Sequence, residues 1–233
     1  MTKGLTQNQL KLFAVAYMVI DHVGAVFFPD LIILRIIGRM AFPIFSYGIF
    51  EGMLYTGNPV KYMRNLLAIG LLCLLGYYIF AGEIYGNIMI TLFLSAAVLS
   101  GLRLVDEGWA ARGGAVALGA AAAAYFICRY FPVDYGFWGV MLPVFPAACR
   151  LAAKKSGRIS HERLKNIQLS AFALGLCILA LDTGWPQFFA LLAIIPMAAA
   201  SGERGRHKLK SFFYIFYPAH LAVIGCISMI IVK

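Results

Sequence analysis

Apolar runs of about twenty residues, each long enough to cross ~30 Å of hydrocarbon, recur along this chain from end to end. The pattern leaves no room for a soluble domain, an internal repeat or a low-complexity linker in 233 residues that are 62% hydrophobic and 13% charged. It predicts spans near 10–29, 31–54, 65–81, 88–105, 113–131, 136–152, 167–183, 186–202 and 211–232. The expected fold is an all-α integral membrane protein, a bundle of about nine transmembrane helices forming one domain over 1–233. Pro29-Asp30, Gly57-Asn58-Pro59 and Asp182-Thr183-Gly184 mark sharp turns between spans. Pro43, Pro143, Pro146, Pro196 and Pro218 predict kinks within them, with neighbours satisfying the freed carbonyls. No small-residue cleavage site follows the first apolar run, so the first helix is expected to be retained.

Basic residues sort to alternate loops. Lys3, Lys11, Lys61, Arg64, Arg103, Arg112, Arg150, Lys154, Lys155, Arg158, Arg163, Lys165, Arg204, Arg206, Lys208 and Lys210 all flank one side of such a topology. Arg129 and Lys233 fall in the opposite flanks, with Asp30, Glu83, Asp134 and Asp182. The positive-inside rule then predicts an N-in, C-out, multi-pass protein of the cell (plasma or inner) membrane. The same sorting accounts for the net charge of +10 without nucleic acid, because the charges lie at membrane edges and form no continuous groove. Anchoring and contact with anionic membrane lipids explain most of them. The runs 154–165 and 204–210 could also hold the phosphates of a docking cofactor. Cys73, Cys128, Cys149, Cys177 and Cys226 all sit in apolar segments without a CxxC and read as packing residues, neither disulfides nor metal ligands.

Against that apolar background, Asp21 and His22 stand inside the first span, and Arg35 and Arg39 inside the second. Ionisable groups at such depth are costly and normally face a protein interior or a watery cavity. Asp21 and His22 point about 100° apart, so neither can pair with the other, and each needs a partner from another segment. The arginines of the second span are the nearest candidates, which puts a polar site between the first two helices. Lys11 and His22 share nearly one face of the first helix, roughly 16 Å apart along its axis. His220 follows Pro218 in the last span, and Asn87, Asp134 and Tyr135 lie at the outer ends of later helices. The plain alternative is that these groups pair to fix helix packing; the four ionisable groups Asp21, His22, Arg35 and Arg39 together exceed what packing requires. Glu51 reads equally well as a rim carboxylate beside Lys61. There is no Gly-rich phosphate loop, HExxH, GxSxG or metal-spaced Cys/His cluster. Chemistry here would use His22 as general base or nucleophile, with arginines stabilising an oxyanion or holding a carboxylate or phosphate.

The stretches LKLFAVAYMVIDHVG, GRMAFPIFSYGIFEG, TGNPVKYMRN, GNIMITLFLS and KSFFYIFYPAHL, with DYG at 134–136, resemble the TraX family in the right order along nearly the whole chain. The resemblance fades between about 102 and 130 and again in 150–200. It implies acetylation of the N-terminus of a conjugative pilin. TraX proteins look like relatives of a wider set of transmembrane acyltransferases, including acyltransferase family three. There a basic residue and a His separated by ten residues mark the first helix, a pattern that Lys11 and His22 fit with Lys in place of the commoner Arg; Arg35 and Arg39 match the basic-pair motif loosely.

The function expected from residues and resemblance together is membrane acetyl transfer. Acetyl-CoA enters from the cytoplasm and the acceptor is a pilin-like peptide, a glycan or a small molecule on the far side. Asp21, His22, Arg35, Arg39 and His220 carry the catalytic roles; Lys11, Arg204, Arg206, Lys208 and Lys210 hold the donor, and no metal is involved. A proton-coupled transporter using the same Asp/His/Arg cluster is the alternative. The orientation has a direct check. Single cysteines placed in 154–165 are expected to react with an impermeant thiol reagent only from the cytoplasmic side, and labelling from outside would reverse the topology.

Overall fold

The computed structural model describes residues 4–157, 159–203, 205 and 209–231, without the side chains of Lys155, Lys210 and Ser211. The elements in order are α1 (Gln7–Phe27), α2 (Ile32–Gly38), α3 (Ala41–Tyr55), α4 (Pro59–Ala81), α5 (Ile88–Asp106), α6 (Ala110–Tyr130), α7 (Gly136–Met141) and α8 (Val144–Lys155). After α9 (His161–Thr183) come a 3-10 helix (Trp185–Ala193), α10 (Ile194–Ala198) and α11 (Lys210–Ile231). Among the described residues the only β pairing is two isolated bridges. Eight stretches are long and apolar enough to cross a membrane, with Trp185–Ala198 a shorter apolar ninth. The chain is an all-α, multi-pass membrane protein.

Most of the expected proline kinks take another form. Pro43, Pro146 and Pro196 are each the third residue of a new helix, α3, α8 and α10. There the missing N–H would have had no intrahelical partner anyway. Pro143 is the N-cap of α8, and only Pro218 lies inside a continuous helix. The spans expected at 31–54, 136–152 and 186–202 are therefore pairs of helices in series. At the α7–α8 break the Ser95 hydroxyl is 2.9 Å from the Val140 carbonyl, the kind of side-chain rescue a backbone break in lipid requires.

The chain divides into two compact units, a terminal unit of Met1–Phe45 with Gly184–Lys233 and a central unit of Ser46–Thr183. Within the terminal unit, α1 packs on α2 and on α11, and α2 packs on the 3-10 helix. Lys11 lies against Phe213, and His22, further along α1, against His220, further along α11. The two helices thus run in the same direction. In the same unit the short segment 185–198 packs on α2 through its 3-10 part. Its other end meets the start of α1, where Leu5 N–H donates to Ala199 O at 3.0 Å and Ser201 N–H to Leu5 O at 2.8 Å. The 3-10 geometry explains how so short a segment reaches that far. At about 2.0 Å rise per residue, nine 3-10 residues cover ~18 Å where an α-helix would cover ~14 Å, and α10 adds ~8 Å.

In the central unit α5 is the hub, packed against α4, α6, α7 and α8. Small residues make this possible. A Cβ on Gly70 would meet Ile90 of α5, and one on Gly101 of α5 would strike the backbone of Gly113 and Ala117 of α6. Close backbone approach is the usual route to helix association where lipid offers no hydrophobic driving force. Leu94 and Val98 of α5 complete a buried cluster with Ala124 and Val140. Asn87 caps α5 through Met89 N–H and donates from Nδ2 to Gly70 O at 2.8 Å, while Tyr85 and Thr91 donate to the carboxylate and carbonyl of Asp134. These residues, expected at an outer rim, tie the loop before α5 to the loop before α7. Tyr135 takes a left-handed conformation there, φ 62°.

Adjacent glycines supply an internal control for this packing. Gly113→Val is expected to lower thermal stability in detergent by on the order of 2 kcal/mol through overpacking. Gly114→Val, with nothing within 4 Å of its Cβ, should leave the melting temperature near the parent value.

Candidate functional site

Consecutive residues on α1 serve different neighbours, as their 100° separation requires. Asp21 turns to α2. Its Oδ2 accepts a 2.7 Å hydrogen bond from Arg35 Nη1, which also reaches the Asp21 carbonyl at 3.1 Å. Arg39 Nη2 stands 3.5 Å from Oδ1, close enough for charge attraction, while Oδ1 has no hydrogen-bond partner. The approach depends on Gly38, because a Cβ there would overlap the Asp21 side chain. One carboxylate against two guanidiniums leaves the cluster with one positive charge in excess.

His22 turns the other way, to α11. Its Nδ1 is 3.2 Å from Nε2 of His220, with ring centroids 5.0 Å apart. His220 is 7% exposed and tightly held. Phe216 stacks on its ring at 5.2 Å, Tyr217 meets it edge-on, and its Nδ1 lies 3.0 Å from the Phe216 carbonyl. A carbonyl can only accept, so His220 Nδ1 carries a proton. With both rings neutral, His220 Nε2 is then the acceptor and His22 Nδ1 the donor. In that arrangement His22, which also hydrogen-bonds the Met18 backbone, carries its basic lone pair on Nε2. That is the nitrogen a base or nucleophile needs.

The expectation of a polar site between the first two helices accounts for Asp21, Arg35 and Arg39. His22 takes its partner from α11 instead. Lys11 lies three turns before His22 on α1, its Nζ 6.0 Å from the Phe213 ring centroid, so both residues of that pair face the same partner helix. Arg204, Arg206 and Lys208 lie outside the described residues, as does the side chain of Lys210. Among the described residues no three His, Cys, Asp or Glu side chains gather as a metal would need. Four described cysteines are half-buried and Cys226 is exposed; all are free. Sequence reasoning passed over Gln187 in the 3-10 helix, which is 2% exposed with Nε2 lacking a hydrogen-bond partner. A lone amide in WPQFFALLA was its only sign.

The ion cluster makes a stability prediction. Asp21→Ala strands two half-buried guanidiniums and is expected to cost on the order of 3 kcal/mol in thermal unfolding. Adding Arg35→Met should recover a large part of that loss. Equal melting of parent and Asp21→Ala would mean the carboxylate anchors nothing.

A model of the TraX protein family matches residues 6–228. Over 98 residues the chain is 33% identical to an uncharacterized protein of Rickettsia prowazekii, covering 42% of this chain and 34% of that protein. The chain thus spans about a third of that relative's length. It is 25% identical over 242 aligned positions to the "Probable fimbrial assembly protein FimC, serogroup H1" of Dichelobacter nodosus, covering 95% of each. No solved structure matches it.

Proposed function

The chain belongs to the TraX protein family, and from that premise we propose that it is an integral-membrane acetyltransferase carrying acetyl from acetyl-CoA to an amine or hydroxyl on the opposite side of the membrane. The observation that supports the reading is the His220–His22 contact inside a membrane span, ring nitrogens 3.2 Å apart, in which a donating His22 Nδ1 would put the basic lone pair on Nε2. In the reaction, His22 Nε2 takes a proton from the acceptor nitrogen or oxygen as that atom attacks the thioester carbonyl carbon. The C–O π bond opens to an oxyanion, then re-forms as the C–S bond breaks and the CoA thiolate leaves. His22 returns its proton to the thiolate. The positive charge that Asp21 does not cancel, on Arg35 and Arg39, is suited to the oxyanion. Lys11, facing α11 on the same side of α1, is suited to the donor's phosphates, together with the basic run 204–210. The orientation proposed is N-in and C-out, with acetyl-CoA cytoplasmic. A wider kinship with transmembrane acyltransferases, which the Lys11–His22 spacing resembles, is part of this proposal. The relative named for fimbrial assembly makes a pilin-like peptide N-terminus the first acceptor to try.

A proton-coupled carrier is the second reading. The observation that favours it is the interruption of spans between α2 and α3 and between α7 and α8, since discontinuous helices line substrate sites in transporters.

Radiolabelled acetyl-CoA and purified protein in nanodiscs decide between them. Parent protein should transfer label to an amine acceptor or, slowly, to water. His22→Ala and His22→Gln should lose ~100-fold or more of that rate while still binding CoA. His220→Ala, which removes only the partner that orients His22, should lose roughly 10- to 100-fold. Turnover at the parent rate in either His22 variant would sink the mechanism, and proton uptake into proteoliposomes without any transfer would establish the carrier.

A further inference from the structure

Among the described residues four arginines are half-buried: Arg35, Arg39, Arg103 and Arg150. Arg35 and Arg39 share Asp21, and Arg103 pairs with Glu107 while donating to the carbonyls of Met53 and Thr56 at the end of α3. Arg150 makes no hydrogen bond or ion pair to another described residue, and its Nε is sealed from solvent without a partner. It lies near the end of α8, one turn before Lys154, which is itself engaged by Asp106.

Arg150 lines a small cleft in the central unit, about 30 Å³, where the C-terminal ends of α3, α5 and α8 meet. Arg103 and Asp106 share the rim, and the rest is apolar, including Phe50, Met53, Leu99, Leu102 and Leu151. The charges there do not balance. Arg103 with Glu107 and Lys154 with Asp106 close two pairs, and Arg150 is left over. A half-buried guanidinium with no internal partner, beside an apolar cleft at a membrane edge, is suited to an anion.

We infer that this cleft is a binding site for an acidic phospholipid, the phosphate held by Arg150 and the chains lying over the apolar mouth. The volume admits about one water-sized group, so a phosphate oxygen enters and the rest of the molecule stays outside. The apolar lining selects an amphiphile over free phosphate, which would gain nothing from it. Basic clefts between membrane helices near the headgroup level take acidic lipids in this way. This site lies apart from the histidine pair in sequence and stands whether or not the acetyl-transfer reading holds.

Full-length protein in phosphatidylcholine nanodiscs, titrated with phosphatidylglycerol, supplies the test, with retained lipid counted by native mass spectrometry after transfer to detergent. Parent protein is expected to keep one phosphatidylglycerol about tenfold in preference to phosphatidylcholine. Arg150→Gln should abolish the preference, whereas Arg112→Gln, at an exposed arginine, should keep it. Arg150→Lys retains the charge without the forked donors and should keep part of the preference. Leu102→Trp, which fills the cleft without touching any charge, should remove the retained lipid and keeps the idea testable if Arg150→Gln does not fold. Equal retention of the two lipids by parent protein would overturn the proposal. So would unchanged retention in both Arg150→Gln and Leu102→Trp. Loss of acetyl-CoA binding in Arg150→Gln with lipid retention intact would also overturn it, assigning the arginine to the donor.

Discussion

A charged or strongly polar side chain in a hydrocarbon slab has nowhere to go except toward another such group, and this constraint organises the terminal unit. Insertion of one central Asp, Lys or Arg costs about 2.5–3.5 kcal/mol even on lenient scales. Asp21, Arg35 and Arg39 are three such groups on the first two helices, and the chain gathers them at one point. The gathering dictates the rest of that contact. Position 38 must be glycine for the carboxylate to fit, and α2 must end near Arg39 for both guanidiniums to reach one acid. What remains after pairing is a positive charge and a histidine directed elsewhere, and those are the two things acyl transfer would use.

Span positions were legible because hydropathy over twenty residues is a local, summed property, and every predicted span has its counterpart in the structure. Asp21, Arg35 and Arg39 could be read as neighbours because only one turn separates the two helices. The partner of His22 could not. Periodicity says which face of α1 His22 occupies and nothing about which helix lies against it, and His220 is 198 positions away. Helix restarts after residues 40, 143 and 193 escaped for a different reason. A proline in an apolar run is compatible with both a kink and a first-turn position, and the choice turns on whether a neighbour such as Ser95 supplies the lost hydrogen bond.

The 3-10 stretch shows the same economy. A nine-residue run of this conformation is long for a geometry usually kept to three or four residues. It trades hydrogen-bond quality for reach, letting a segment too short for an ordinary spanning helix connect the α2 level to the start of α1. The histidine pair depends on the parallel packing of α1 with α11 in the same unit.

Parallel contact between α1 and α11 has a temporal meaning as well. His22 enters the membrane among the earliest residues made, and its orienting partner belongs to the final helix in the described chain. At ribosomal speeds of about 5–20 residues per second, the 198 positions between them take roughly 10–40 s to appear. Throughout that interval the imidazole on α1 lacks the contact that orients its ring. Under the function proposed above, the orientation of the His22 ring is therefore set only once α11 is in place.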